Sequence, residues 1–158
     1  MSRVEVTTQK QLDSAIKGRK PGDVIVCLGG TLDRPLIVRG SSHVEAWGSS
    51  HVAAWGSSHV VARGSSSVEA RGSSHVVAWG SSHVAAWGSS SVVAWESSRV
   101  VARESSSVEA RGSSHVVASK FVPVQVHSKN VRVKGGVVIS VPDLDTLTPA
   151  EWCDYYGV

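Results

Sequence analysis

Between Gly40 and Ser119 one octad, Gly-Ser-Ser-His-Val-x-Ala-Trp/Arg, is written ten times with no insertion or deletion. A fixed short period restricts the chain to architectures in which like units stack on one another. The fifth position is always Val (Val44 to Val116) and the seventh always Ala (Ala46 to Ala118), whereas the fourth, sixth and eighth vary. Val-x-Ala spacing has period two, which puts both side chains on one face of a strand and the variable positions on the other. Gly-Ser-Ser is a small, turn-tolerant cluster that bends the chain into the next strand. One octad is therefore one strand plus one corner. A strand of about five residues cannot bury its apolar face alone, so the octads stack as coils about 4.8 Å apart. The expected fold class is all-β, a parallel β-solenoid.

Coil length is set by how many octads make one turn. Two give a flat, two-sided solenoid with coils of 16 residues, and three give a triangular prism with coils of 24. A triangular interior has a wide centre that needs Leu, Ile or Phe to fill it, whereas two facing sheets carrying Val and Ala can meet closely. Charge agrees. The three-sided coil stacks Glu45 on Glu69, while the two-sided coil sets Glu45 beside Val61 and Glu69 between Ala53 and Ala85. The two-sided coil also places Arg63 between Trp47 and Trp79, and Arg71 between Trp55 and Trp87. Two-sided is the expectation and three-sided the alternative.

Both ends of a solenoid leave strand edges unpaired, and the flanking segments read as plugs. Thr8 followed by Gln11 is a capping box, Leu12, Ala15 and Ile16 share one helical face, and Gly18 stops the helix. At the other end Thr148-Pro149-Ala150-Glu151 is a second capping box, Gly157 is placed to stop that helix, and Trp152, Tyr155 and Tyr156 can cover the last coil. Between them the octad decays into Val124-x-Val126, Val131-x-Val133 and Val137 to Val141, which continue the solenoid as irregular strands. The chain divides into an N-terminal cap and first strand (1–31), repeat coils (32–141) and a C-terminal helical cap (142–158) of a single domain. The segment Val6 to Leu32, VTTQKQLDSAIKGRKPGDVIVCLGGTL, resembles the opening of right-handed parallel β-helix proteins of the pectate-lyase-like superfamily. There a short helix covers the first coil and a "PGD" turn launches the first strand. That family's acidic calcium and catalytic clusters have no counterpart in the octads. The octads and the ending DLDTLTPAEWCDYYGV are also similar to octapeptide-repeat β-solenoid proteins of actinobacteria and their bacteriophages, a likeness that implies an origin and no mechanism.

No run approaches the eighteen or so apolar residues of a membrane span, and MSRVEVTTQKQL lacks a signal-peptide core, so a cytoplasmic protein is expected. Several coils separate Cys27 from Cys153, too far for a disulfide, and both are expected as free thiols.

Candidate chemistry lies on the outward positions. The eighth reads Trp47, Trp55, Arg63, Arg71, Trp79, Trp87, Trp95, Arg103, Arg111, so stacked coils present columns in which indole and guanidinium alternate. Such columns stiffen the coil through cation–π contacts of about 0.5–1 kcal/mol each. Alternatively they form a platform on which unpaired bases stack while Arg neutralises phosphate, or a glycan-binding surface. A pI near 9.1 favours nucleic acid, although the net charge is only +3 and Glu45, Glu69, Glu96, Glu104 and Glu109 sit among the columns. Glu96 and Glu104 are expected in a local charge network with Arg99 and Arg103. The fourth position gives a histidine ladder of His43, His59 and His75, with His51, His83 and His115 on the other side. Ser91, Ser107 and Arg99 interrupt it and no carboxylate recurs beside it, so no metal and no cofactor is expected. Phosphate loops, nucleophile elbows and zinc spacings are missing from the sequence, and an enzyme is not expected. The reading that results is a non-enzymatic structural or interaction module. A homodimer through a flat face, a protein partner or nucleic acid are its candidate partners, with no membrane.

Overall fold

Each repeat strand occupies positions four to seven of its octad, from His43–Ala46 through to His115–Ala118. The computed structural model describes residues 3–19, 24–31 and 34–141. Alternate octads pair in parallel: His43–Ala46 lies on His59–Ala62 with Val44 against Val60 and Ala46 against Ala62. His51–Ala54 lies on Ser67–Ala70 in the same way. The register step is 16 residues throughout the octads, so the solenoid is two-sided and the three-sided alternative is excluded.

Among the described residues one sheet, called the first, has nine strands and begins with Arg3–Val6; the second has seven and begins with Leu36–Val38. Past the last octad, Pro123–Val126 and Val137–Ser140 extend the first sheet and Arg132–Lys134 extends the second, which realises the three irregular strands. The expected C-terminal helix, Cys153 and the Pro21-Gly22-Asp23 turn lie outside the described residues.

The interior is as thin as the sequence requires. Val and Ala of positions five and seven are buried in every octad and form one core running the length of the stack. A third inward position accompanies them, because the serine before each strand is buried as well, from Ser42 to Ser114. The period-two alternation of Val and Ala, carried two residues back into the corner, reaches this serine. Where the chain turns from the second sheet to the first, the hydroxyls of Ser58, Ser74, Ser90 and Ser106 donate to the carbonyl three residues earlier at 2.6–2.8 Å. A polar side chain buried in this way closes the corner without an unmatched donor.

The corner itself needs a left-handed residue. Gly80 has φ +73°, and a Cβ there would come within 2.9 Å of the Gly64 carbonyl on the preceding coil. Glycine supplies this conformation without steric cost. Glu96 and Glu104 hold the same corner at φ +57° and +60°. Corner amides pair from coil to coil, as in Ser57 N–H to the Gly40 carbonyl at 2.9 Å, so the hydrogen-bond ladder runs on between the sheets.

Helix α1 (Gln9–Lys17) closes the N-terminal end. Thr8 and Gln11 form the expected capping box, Gly18 follows the last turn, and Leu12 is fully buried. Gln9 does something further. Its amide donates to the Ile37 carbonyl at 2.9 Å and accepts from the Ile37 N–H at 2.7 Å. The side chain thereby stands in for the missing neighbour of Leu36–Val38, the edge strand of the second sheet.

Candidate functional site: the outward ladders

Period two on each strand sends positions four, six and eight of the first sheet outward in three parallel columns, and the 16-residue register stacks each column with one side chain per coil. In the eighth-position column, the Arg63 guanidinium lies 5.5 Å from the Trp47 ring centre, and Arg3 approaches the same ring at 4.8 Å. Trp79 and Trp95 are direct neighbours, with ring centres 4.9 Å apart and planes 3° from parallel. Arg111 sits 4.7 Å from Trp95 and holds Glu109. Expected alternation therefore fails here, because octads 16 residues apart place two indoles in succession.

On the second sheet alternation is complete. Arg71 lies between Trp55 and Trp87, 5.2 Å from each ring, and also reaches Glu69 at 3.3 Å. Arg39 heads this column, because the Trp55 N–H bonds to the carbonyl of the preceding residue, Val38. An octad frame that starts at Gly40 leaves Arg39 outside the column, and extending the period back by one residue brings it in. Arg103 follows Trp87 by one coil, since its N–H bonds to Ala86, which precedes Trp87.

Ring faces in these columns point along the stack toward their neighbours. Trp55 is the one column tryptophan that is largely exposed, at 44%; Trp47, Trp79, Trp87 and Trp95 are half-buried. Coils about 4.8 Å apart leave no gap for a base between rings already in contact.

The fourth-position ladder is formed on the first sheet. His43, His59 and His75 stack with ring centres 4.7 and 4.8 Å apart. Burial, and then the neighbouring imidazoles His43 and His75, push the His59 pKa down. On the second sheet Ser67 separates His51 from His83, and Arg99 separates His83 from His115. Among the described residues no three His, Cys, Asp or Glu side chains are grouped to hold a metal ion. Cys27 is buried and free, and burial pushes its thiol pKa up to about 12, which keeps it protonated and unreactive.

The expected network among Glu96, Arg99, Glu104 and Arg103 does not form among the described residues. Left-handed corner geometry turns the Glu104 carboxylate back along the stack, where it accepts from the Gly88 N–H at 2.7 Å. The described residues line several concavities, among them a groove on the second sheet and a cleft beside α1. A shallow groove of about 210 Å³ runs along the second sheet past His51, Ser67, Glu69, His83, Ala85 and Arg99. A cleft of about 520 Å³ lies between α1 and Ile25.

Fold and ladders together define a two-sheet parallel β-solenoid with self-stacked outer columns. Comparison with family models, curated proteins and solved structures finds no match for the chain. Among the described residues no helix is long and apolar enough to cross a membrane.

Proposed function

We propose that the protein is a non-enzymatic structural or interaction module, a stiff rod whose regular faces are its working surface. One observation carries the reading. The aromatic and cationic side chains are spent on each other along the columns, as Arg71 is between Trp55 and Trp87, and do not converge on a point where a substrate would sit. Enzymes gather complementary groups in a concave site, whereas a ladder repeats one group at each coil. The likeness of the octads to repeat proteins of actinobacteria and their bacteriophages fits a module of this kind and adds no chemistry.

Base stacking on the tryptophans is the weaker reading, because neighbouring residues already cover most ring faces. Glycan binding shares that weakness. Self-association through a flat face remains compatible with the half-buried tryptophans.

Melting temperature separates these readings. Arg71→Ala removes two cation–π contacts, and Trp79→Ala removes a stacked indole, together about 1–3 kcal/mol by typical values. A structural ladder predicts a lower melting temperature for each. Unchanged melting in both variants would overturn the reading, and sedimentation of the wild type tests for a dimer in parallel.

A further inference from the structure

The arginines fall into two classes. Arg3, Arg63, Arg71 and Arg111 are engaged, each lying over an indole, with Arg3, Arg71 and Arg111 also paired to a carboxylate. Arg99, Arg103 and Arg132 make neither contact among the described residues, and all three are exposed. Arg19, Arg34 and Arg39, toward the N-terminal end, also make neither contact among the described residues, but Arg99, Arg103 and Arg132 collect on one surface. Arg99, His115 and Arg132 are register neighbours on three consecutive coils of the second sheet, and Lys134 pairs in register with Val117 beside them. Arg103 lies four residues along from Arg99, about 13 Å away at normal strand rise.

Among the described residues no ion pair joins the nearest carboxylates to these arginines. Glu69 is held by Arg71, Glu104 accepts from the Gly88 N–H, and Glu96 at the corner before Arg99 forms no ion pair among the described residues. On the first sheet, by contrast, Glu5 and Glu109 are paired with arginine and Glu45 accepts from the Trp47 indole at 2.7 Å. The C-terminal half of the second sheet carries arginines that neither an indole nor a carboxylate engages among the described residues.

We infer that the C-terminal half of the second sheet, centred on Arg99, Arg103 and Arg132, binds the phosphodiester backbone of a nucleic acid. This rests on the reading of the protein as an interaction module and names its partner. A planar guanidinium presents a fork that matches phosphate oxygens, and three of the four permanent cations here are Arg. The cations follow one another along the sheet face, with Val101 and Val117 between their rows, so the strip suits a chain of anions laid across it and not one small anion held in a cavity. Recognition runs through phosphate and not through base stacking; Arg103 continues the Trp55–Arg71–Trp87 column by one coil without lying over an indole.

The test uses substitutions the octads already contain. Position four is Ser in three octads and position eight is Trp in five, so Arg99→Ser with Arg103→Trp keeps the repeat pattern while removing two charges. Arg63→Trp with Arg111→Trp removes the same charge from the first sheet. Binding of fluorescent single-stranded and duplex 20-mers is followed by anisotropy from low to moderate salt. Saturable binding of either form by the wild type is expected, weakened at least tenfold by the second-sheet pair and no more than twofold by the first-sheet pair. The second-sheet pair should also lower the slope of log affinity against log salt by about two, one per lost phosphate contact. Arg132→Ser, a single change in a late strand, is expected to act in the same direction and covers the case in which the pair misfolds. No saturable binding, or equal weakening by both pairs, overturns the inference. So does binding to phosphatidylserine vesicles in place of nucleic acid. None of these outcomes depends on the melting of Trp79→Ala and Arg71→Ala, so loss of the partner and loss of the module reading are told apart.

Discussion

Glu96 and Glu104 stand where the other eight octads have Gly, in a backbone conformation that disfavours any side chain with a Cβ. A non-glycine residue there costs about 1 kcal/mol, partly offset by the lower entropy of an unfolded chain without the extra glycine. Glu96→Gly is therefore expected to raise the urea midpoint, by up to about 1 kcal/mol in stability. Glu104→Gly should gain less, because it also gives up the 2.7 Å bond to the Gly88 N–H, worth about 1 kcal/mol. Equal gains from the two would show that this bond contributes nothing. The histidine ladder has its own signature. With its pKa held below the ordinary 6.5, His59 binds fewer protons in the folded than in the unfolded protein near that pH. Its contribution is complete above about pH 6.5 and is lost as pH falls through the lowered value. Melting temperature is expected to drop between pH 7.5 and 5.5, and to drop less in His59→Ser, which takes the residue of Ser91 on the same column. Membership of these columns is legible from the sequence, because register follows from the period. The direction of the Glu104 carboxylate is not, because chain proximity to Arg103 says nothing about where a left-handed corner aims its side chain.

At the scale of the element, α1 shows how a solenoid end is closed. Its capping box, buried Leu12 and terminal Gly18 all follow from the local pattern of Thr8, Gln11 and the apolar face. The contact that ties the helix to the repeat does not follow. Gln9 and Ile37 are 28 residues apart, and the bond pair between them depends on where the edge strand falls in space. Gln9→Ala leaves the Ile37 N–H and carbonyl without this partner, a loss of about 1–3 kcal/mol. Hydrogen exchange should then quicken at Ile37 and its neighbours while the central coils keep their protection. Leu12→Ala should destabilise by about 2–5 kcal/mol, since the side chain is fully buried and leaves a cavity. If exchange quickens equally over all coils in Gln9→Ala, the cap is part of one global unit and not a local plug.

Across the whole molecule each coil touches mainly the coils on either side, and every interior octad buries the same Val, Ala and Ser. Stability in such a stack is close to a sum of intrinsic and nearest-neighbour terms. That additivity explains why the architecture is legible in the sequence: a local pattern of eight residues, repeated, is also the global pattern. It also explains why the identity of a partner is less legible. A periodic surface differs from coil to coil only in a few outward side chains, and whether Arg99 is free or Arg71 is sandwiched depends on the residue 16 positions away. The same additivity can be tested directly. Duplicating Gly72–Trp87 inserts one full coil and leaves every later strand on its own sheet. The lengthened protein is expected to unfold in urea in a single transition, with both the free energy and its denaturant slope increased, because more surface is exposed on unfolding. An unchanged free energy, or a second transition at low urea, would mean that coils are not interchangeable and that the caps set the length of the stack.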